Sequence, residues 1–73
     1  MSQPLVDKHG VEFKVGQVRK MKFASGGILR VVIIDRINKQ NEGMETFRLF
    51  DTRRISFFVA SIGVMEHTEL ICE

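Results

Sequence analysis

Two pairs of cations in this chain are spaced to engage an anionic partner. In "VRKMKF", Lys20 and Lys22 lie two positions apart, so on an extended strand they share a face. In "FDTRRISFFVAS", Arg53 and Arg54 are adjacent and precede the most apolar stretch of the second half of the chain. Lysine and arginine projecting from one side of a small domain neutralise phosphates or carboxylates, and arginine can do so bidentately. Lys39 adds a further cation on a loop. The plainer reading is a solvated surface whose strand lysines oppose edge-to-edge aggregation. The pair Phe57-Phe58 is the second feature. On a strand these residues point to opposite faces, so one of them leaves the core. With Val32 and Ile34 on the neighbouring face it would form an exposed apolar patch, the kind that marks a protein interface or self-association. The candidate partner-binding set is therefore Lys20, Lys22, Arg53, Arg54, Phe57 and Phe58.

Catalytic chemistry has little to build on. His9 and His67 are the only histidines, and neither sits in a string that implies a nucleophile or a metal site. Zinc would need more ligands than His9, His67 and Cys72 assemble. Cys72 reads as a residue of a terminal strand, and Gly26-Gly27 as a hairpin turn rather than a phosphate-cradling loop. No metal and no cofactor is expected. Trp and Tyr are absent, so stacking platforms for unpaired bases could come only from the six Phe. Phe13, Phe23, Phe47 and one of Phe57 or Phe58 are expected to be used in the core.

A chain of 73 residues holds one domain with a single core, spanning 1–73. The lone cysteine cannot form an internal disulfide and points to a reducing, cytoplasmic setting. "MSQPLVDKHG" has no signal-peptide pattern, and Met1 reads as a true start of a complete small protein. The run Val31–Ile34 is far too short to span a membrane. All 11 Lys and Arg fall between Lys8 and Arg54 against five acids, a local charge of +6, whereas residues 55–73 carry three glutamates and no base. A basic body with an acidic end points to polyanionic partners.

Gly and Asn punctuate runs of β-branched and aromatic residues at short intervals, which predicts an antiparallel, strand-rich domain. "VEFKVG" alternates as a strand after a tight turn, Asp7 to Gly10, with Gly10 at positive φ. In "VRKMKF", Arg19 shares a face with Met21 and Phe23 while Val18 does not, and a bulge near Arg19 would reconcile them. Ser25 to Gly27 reads as the next turn. "ILRVVIIDRI" is the strongest strand, with Leu29, Val31 and Ile33 on one side and Ile28, Val32 and Ile34 on the other. Apolar on both sides implies burial on both, or a bent strand, so aspartate at Val31 or Ile33 is expected to unfold the domain. After the loop "NKQNEG", "METFRLF" turns Phe47 and Leu49 inward. Residues 55–60 read as a strand, and the segment 53–62 also fits a short helix with Asp51 or Thr52 as N-cap and Gly63 beyond its C-terminus. "VMEHTELIC" closes the domain as a last strand.

Taken as five strands, "VRKMKFASGGILRVVIIDRI" and "TFRLFDTRRISFFVASIGVM" resemble the KOW module of transcription and ribosome-associated factors, a small Src-homology-type β-barrel. The likeness covers about residues 16–65 and rests on Gly27, the hydrophobic rhythm and the basic turn. "DKHGVEFKVGQVR" is similar to the entry of phage- or mobile-element-encoded small barrels. The chain departs from the module in the extra strand-like "VEFKV" and in lacking a proline near the loop. It also has nothing like the Gln-Ile-Tyr string of the plasmid-type dihydrofolate reductases. The resemblance implies an all-β barrel of five to six strands with no reaction centre, a binding module that docks on a polymerase or ribonucleoprotein and regulates transcription. Two rivals are a phage-type inhibitor or adaptor of one host protein, and a small oligomeric enzyme with its pocket on a symmetry axis.

Overall fold

The computed structural model describes residues 4–22, 27, 29–39 and 43–73. Five antiparallel strands, β1 (Val18–Lys22), β2 (Leu29–Asn38), β3 (Thr46–Asp51), β4 (Ser56–Ser61) and β5 (Glu69–Cys72), form one sheet in the order β4-β3-β2-β1-β5. A single helical turn, α1 (Ile62–Met65), joins β4 to β5. The chain is therefore all-β, as its β-branched runs and turn residues predict.

Period-two alternation builds the core on one face of this sheet. Met21, Val32, Ile34, Phe47, Leu49 and Ala60 point to it and are buried. Phe13 from the N-terminal segment and Met65 of α1 cover that face, with Leu5, Ile37, Phe58 and Ile62 packed around them. Phe13 meets Phe47 edge-to-face, with ring centroids 4.8 Å apart. Each fully buried Leu, Ile, Phe or Met contributes about 1.5–3 kcal/mol.

Four expectations are corrected. The "VEFKV" segment is not a strand: Val6 and Glu12 form one isolated bridge, and the chain turns at Val15-Gly16. Glycine at φ +94 there takes a left-handed turn that an L side chain resists. The helix occupies Ile62–Met65, and the 53–62 segment is a turn followed by β4. The last strand is shorter than "VMEHTELIC", because Val64 and Met65 are helical and Glu66-His67 turn. Finally, Val32 and Ile34 are core, so they do not join an exposed patch. It is Val31 (39% exposed) and the half-buried Ile33 that face outward. Gly10 does adopt positive φ, +82. The readings of Phe23 as core, of Ser25-Gly26 as turn and of Ile28 as strand lie outside the described residues.

The register irregularity expected near Arg19 lies between Val18 and Arg19 in the pairing with β5, where Val18 faces Cys72 and Arg19 faces Leu70. Arg19 nonetheless stays on the core face and is fully buried. Its Nη1 donates to Asp7 Oδ2 (2.8 Å) and Thr68 Oγ1 (3.3 Å), and its Nε donates to Gln17 Oε1 (3.0 Å). The guanidinium lies 4.2 Å from the Phe13 ring centroid. One cation thus ties the N-terminal segment, β1 and the approach to β5 together. Burial pushes the Asp7 carboxyl up, but Arg19 and the Val11 and His9 amides outweigh it and hold it below its ordinary value.

Candidate docking surface

The outward face of the sheet carries an apolar row that crosses every strand. Strand register sets Phe57 opposite Phe50, Phe50 opposite Ile33, Ile33 opposite Val18, and Val18 opposite Cys72. The two rings of Phe50 and Phe57 meet edge-to-face at 5.1 Å, the geometry their quadrupoles favour. Phe57 remains 50% exposed. Arg48 lies over it, with the guanidinium carbon 4.2 Å from the ring centroid. A bulge between Ile34 and Arg36 explains how Arg48 is held. Arg36 stands directly opposite Arg48, a like-charge pair that repels, and the extra residue Asp35 reaches Arg48 Nε at 3.6 Å.

The cations gather at one end of the sheet, Lys20 and Lys22 on the outward face and Arg30 on the core side, paired with Met21. Lys20 pairs across the strands with Val31 and Glu69, and Lys22 with Leu29. One shallow groove of about 430 Å³ is lined by Lys8, Lys20, Lys22, Leu29, His67 and Glu69. A second, of about 330 Å³, is lined by Leu29, Arg30, Asp51, Arg53 and Arg54. Leu29, exposed, borders both. Lys20 meets Glu69 at 3.5 Å and Arg30 meets Asp51 at 3.6 Å.

The arginine pair sits in a turn that Asp51 organises. Its Oδ1 accepts the Arg53 and Arg54 amides at 3.0 and 3.2 Å, and its carbonyl accepts the Ile55 amide at 2.9 Å. Thr52 fastens the turn to β2, donating from both its amide (3.2 Å) and its hydroxyl (2.8 Å) to the Val31 carbonyl. Burial raises the Asp51 carboxyl, and the two amides with the Arg30 and Arg54 charges bring it below its ordinary value. Ile55 closes the turn at φ +53 while 76% exposed, a conformation that costs a β-branched residue strain.

Of the six candidate residues, Lys20, Lys22, Arg53, Arg54 and Phe57 are exposed, and Leu29 links the lysine pair to the arginine pair. Phe58 is not with them: it turns inward and packs against the core. Sequence reasoning missed Phe50, Ile33, Val18 and Arg48. The signal for Phe50 and Arg48 was present, since both alternate with the inward Phe47 and Leu49. Among the described residues no group of three or more His, Cys, Asp or Glu could hold a metal ion. Among the same residues, no helix is long and apolar enough to cross a membrane. No protein-family model, no curated protein and no solved structure matches the chain.

Proposed function

We propose that this protein is a non-catalytic docking module that seats on nucleic-acid machinery, a polymerase or ribonucleoprotein assembly, and modulates it. The observation that carries the reading is the outward row Phe57–Phe50–Ile33–Val18, an apolar stripe crossing the sheet beside a cationic end. A half-exposed aromatic residue backed by a second ring and an arginine has the make-up of a binding hot spot. The cations beside it would steer the module to an acidic surface and set its orientation.

The test is capture of partners by the full chain from a lysate, with and without nuclease, beside the folded Phe57→Glu variant. The expected result is a set of polymerase or ribonucleoprotein subunits that survives nuclease and is lost with Phe57→Glu. Capture of a single protein outside such assemblies would instead support the inhibitor or adaptor reading. A captured set indifferent to Phe57→Glu would overturn the apolar row as the docking element.

A further inference from the structure

The cationic end of the sheet is more charged than the molecule that bears it. The two grooves that meet at Leu29 are lined by Lys8, Lys20, Lys22, Arg30, Arg53 and Arg54 against Glu69 and Asp51, a formal +4. The whole chain is only +2, so everything else sums to −2. Lys20 and Arg30 are matched by the two carboxylates. Lys8, Lys22, Arg53 and Arg54 make no ion pair among the described residues. Two of these border each groove, on either side of an exposed leucine.

We infer that this end binds the phosphodiester backbone of single-stranded nucleic acid directly, a step that deepens the docking reading and rests on it. Cations on both sides of Leu29 suit a chain of regularly spaced negative charges better than one isolated carboxylate. Leu29, 52% exposed between the grooves, offers an apolar seat for a base or sugar. An unpaired strand can splay a base onto it, whereas a duplex keeps its bases stacked inside. The strained turn supports the assignment. Ile55, 76% exposed, recovers little packing at its positive φ, yet that geometry ends the loop that projects Arg53 and Arg54. Strain kept for little packing return is a mark of functional positions.

The test uses the full chain and fluorescein-labelled oligo(dT) and oligo(U) of about 12 nucleotides, within the range one small barrel covers. Fluorescence anisotropy is read from about 50 to 200 mM salt. Four phosphate contacts predict a slope of log K against log salt of about −3, from about −0.7 per contact on single strands. Arg53→Gln with Arg54→Gln should reduce the slope by about 1.4, and Lys22→Gln by about 0.7. Phe57→Glu should leave the slope unchanged. The inference is overturned if neither oligonucleotide binds, if the slope ignores the arginine pair, or if a duplex of the same length binds as tightly. Equal, arginine-dependent binding to phosphatidylserine vesicles would also overturn it. The two proposals fail separately. Nuclease-resistant capture without oligonucleotide binding removes only this inference, and oligonucleotide binding with capture abolished by nuclease removes only the protein-docking row.

Discussion

Single residues carry two opposite kinds of cost in this molecule. Ile55 spends conformational energy at the surface: a left-handed backbone costs an L residue roughly 1–2 kcal/mol, and its side chain recovers little because it is exposed. Asparagine tolerates that region, so Ile55→Asn should stabilise the fold by about 1 kcal/mol and raise Tm by about 4–8 °C. An unchanged or lower Tm in a thermal melt would mean that Ile55 packs in a way its exposure does not reveal. Arg19 stores its cost inside. A buried guanidinium survives only because Asp7, Gln17, Thr68 and the Phe13 ring surround it. Among the described residues the charge is matched by Asp7 alone, whose side chain is 1% exposed.

At the scale of elements, β2 organises the rest. It pairs with both β1 and β3, and its two faces do different work. Val32 and Ile34 fill the core, and Val31 and Ile33 line the outer face. Truncating Ile34 to alanine should therefore cost about 2–5 kcal/mol through lost burial and a residual cavity. Val31→Asp, which the apolar run of β2 predicts would unfold the domain, should instead cost no more than about 1 kcal/mol, since Val31 is 39% exposed and the new carboxylate faces solvent opposite Lys20. Urea denaturation of the two variants distinguishes them. Similar losses from both would mean the outer face is covered in the isolated chain. The turn between β3 and β4 owes its shape to Asp51 and its position to Thr52, so the presentation of Arg53 and Arg54 belongs to the sheet and not to a free loop.

At the scale of the whole molecule, two buried carboxylates hold the ends in place. Asp7 fixes the N-terminal segment over the core and Asp51 fixes the arginine turn. Both titrate below their ordinary value of 3.8 in the folded state. Their stabilisation is therefore complete above about pH 4 to 5 and drains away as pH falls through the lowered folded values. Thermal melts should show a plateau above pH 5 and a decline below pH 4. Asp7→Asn should destabilise by about 3–5 kcal/mol at neutral pH, because it strands the buried Arg19 charge, and should flatten the acid decline. Asp7→Leu combined with Arg19→Met should recover most of that loss. A double variant no better than Asp7→Asn would show that the hydrogen bonds of Arg19, not its charge, hold the segment.

Residue order alone was enough to specify an all-β domain, most of its strand positions, the positive-φ turn at Gly10 and the inward side of "METFRLF". Each follows from local alternation and from where glycine interrupts it. The basic pairs and the outward Phe were legible for the same reason. Tertiary structure decided what alternation leaves degenerate. Both faces of β2 are apolar, so parity could not choose between Val31 and Val32; the choice falls to Phe13 and Met65, which cover one side only. Arg19 looked misplaced beside Met21 until its partners arrived from Asp7 and from Thr68, 49 residues further along the chain. The row from Phe57 to Val18 exists only through the pairing of four strands. Register between distant segments is a property of the folded sheet, and no single strand encodes it.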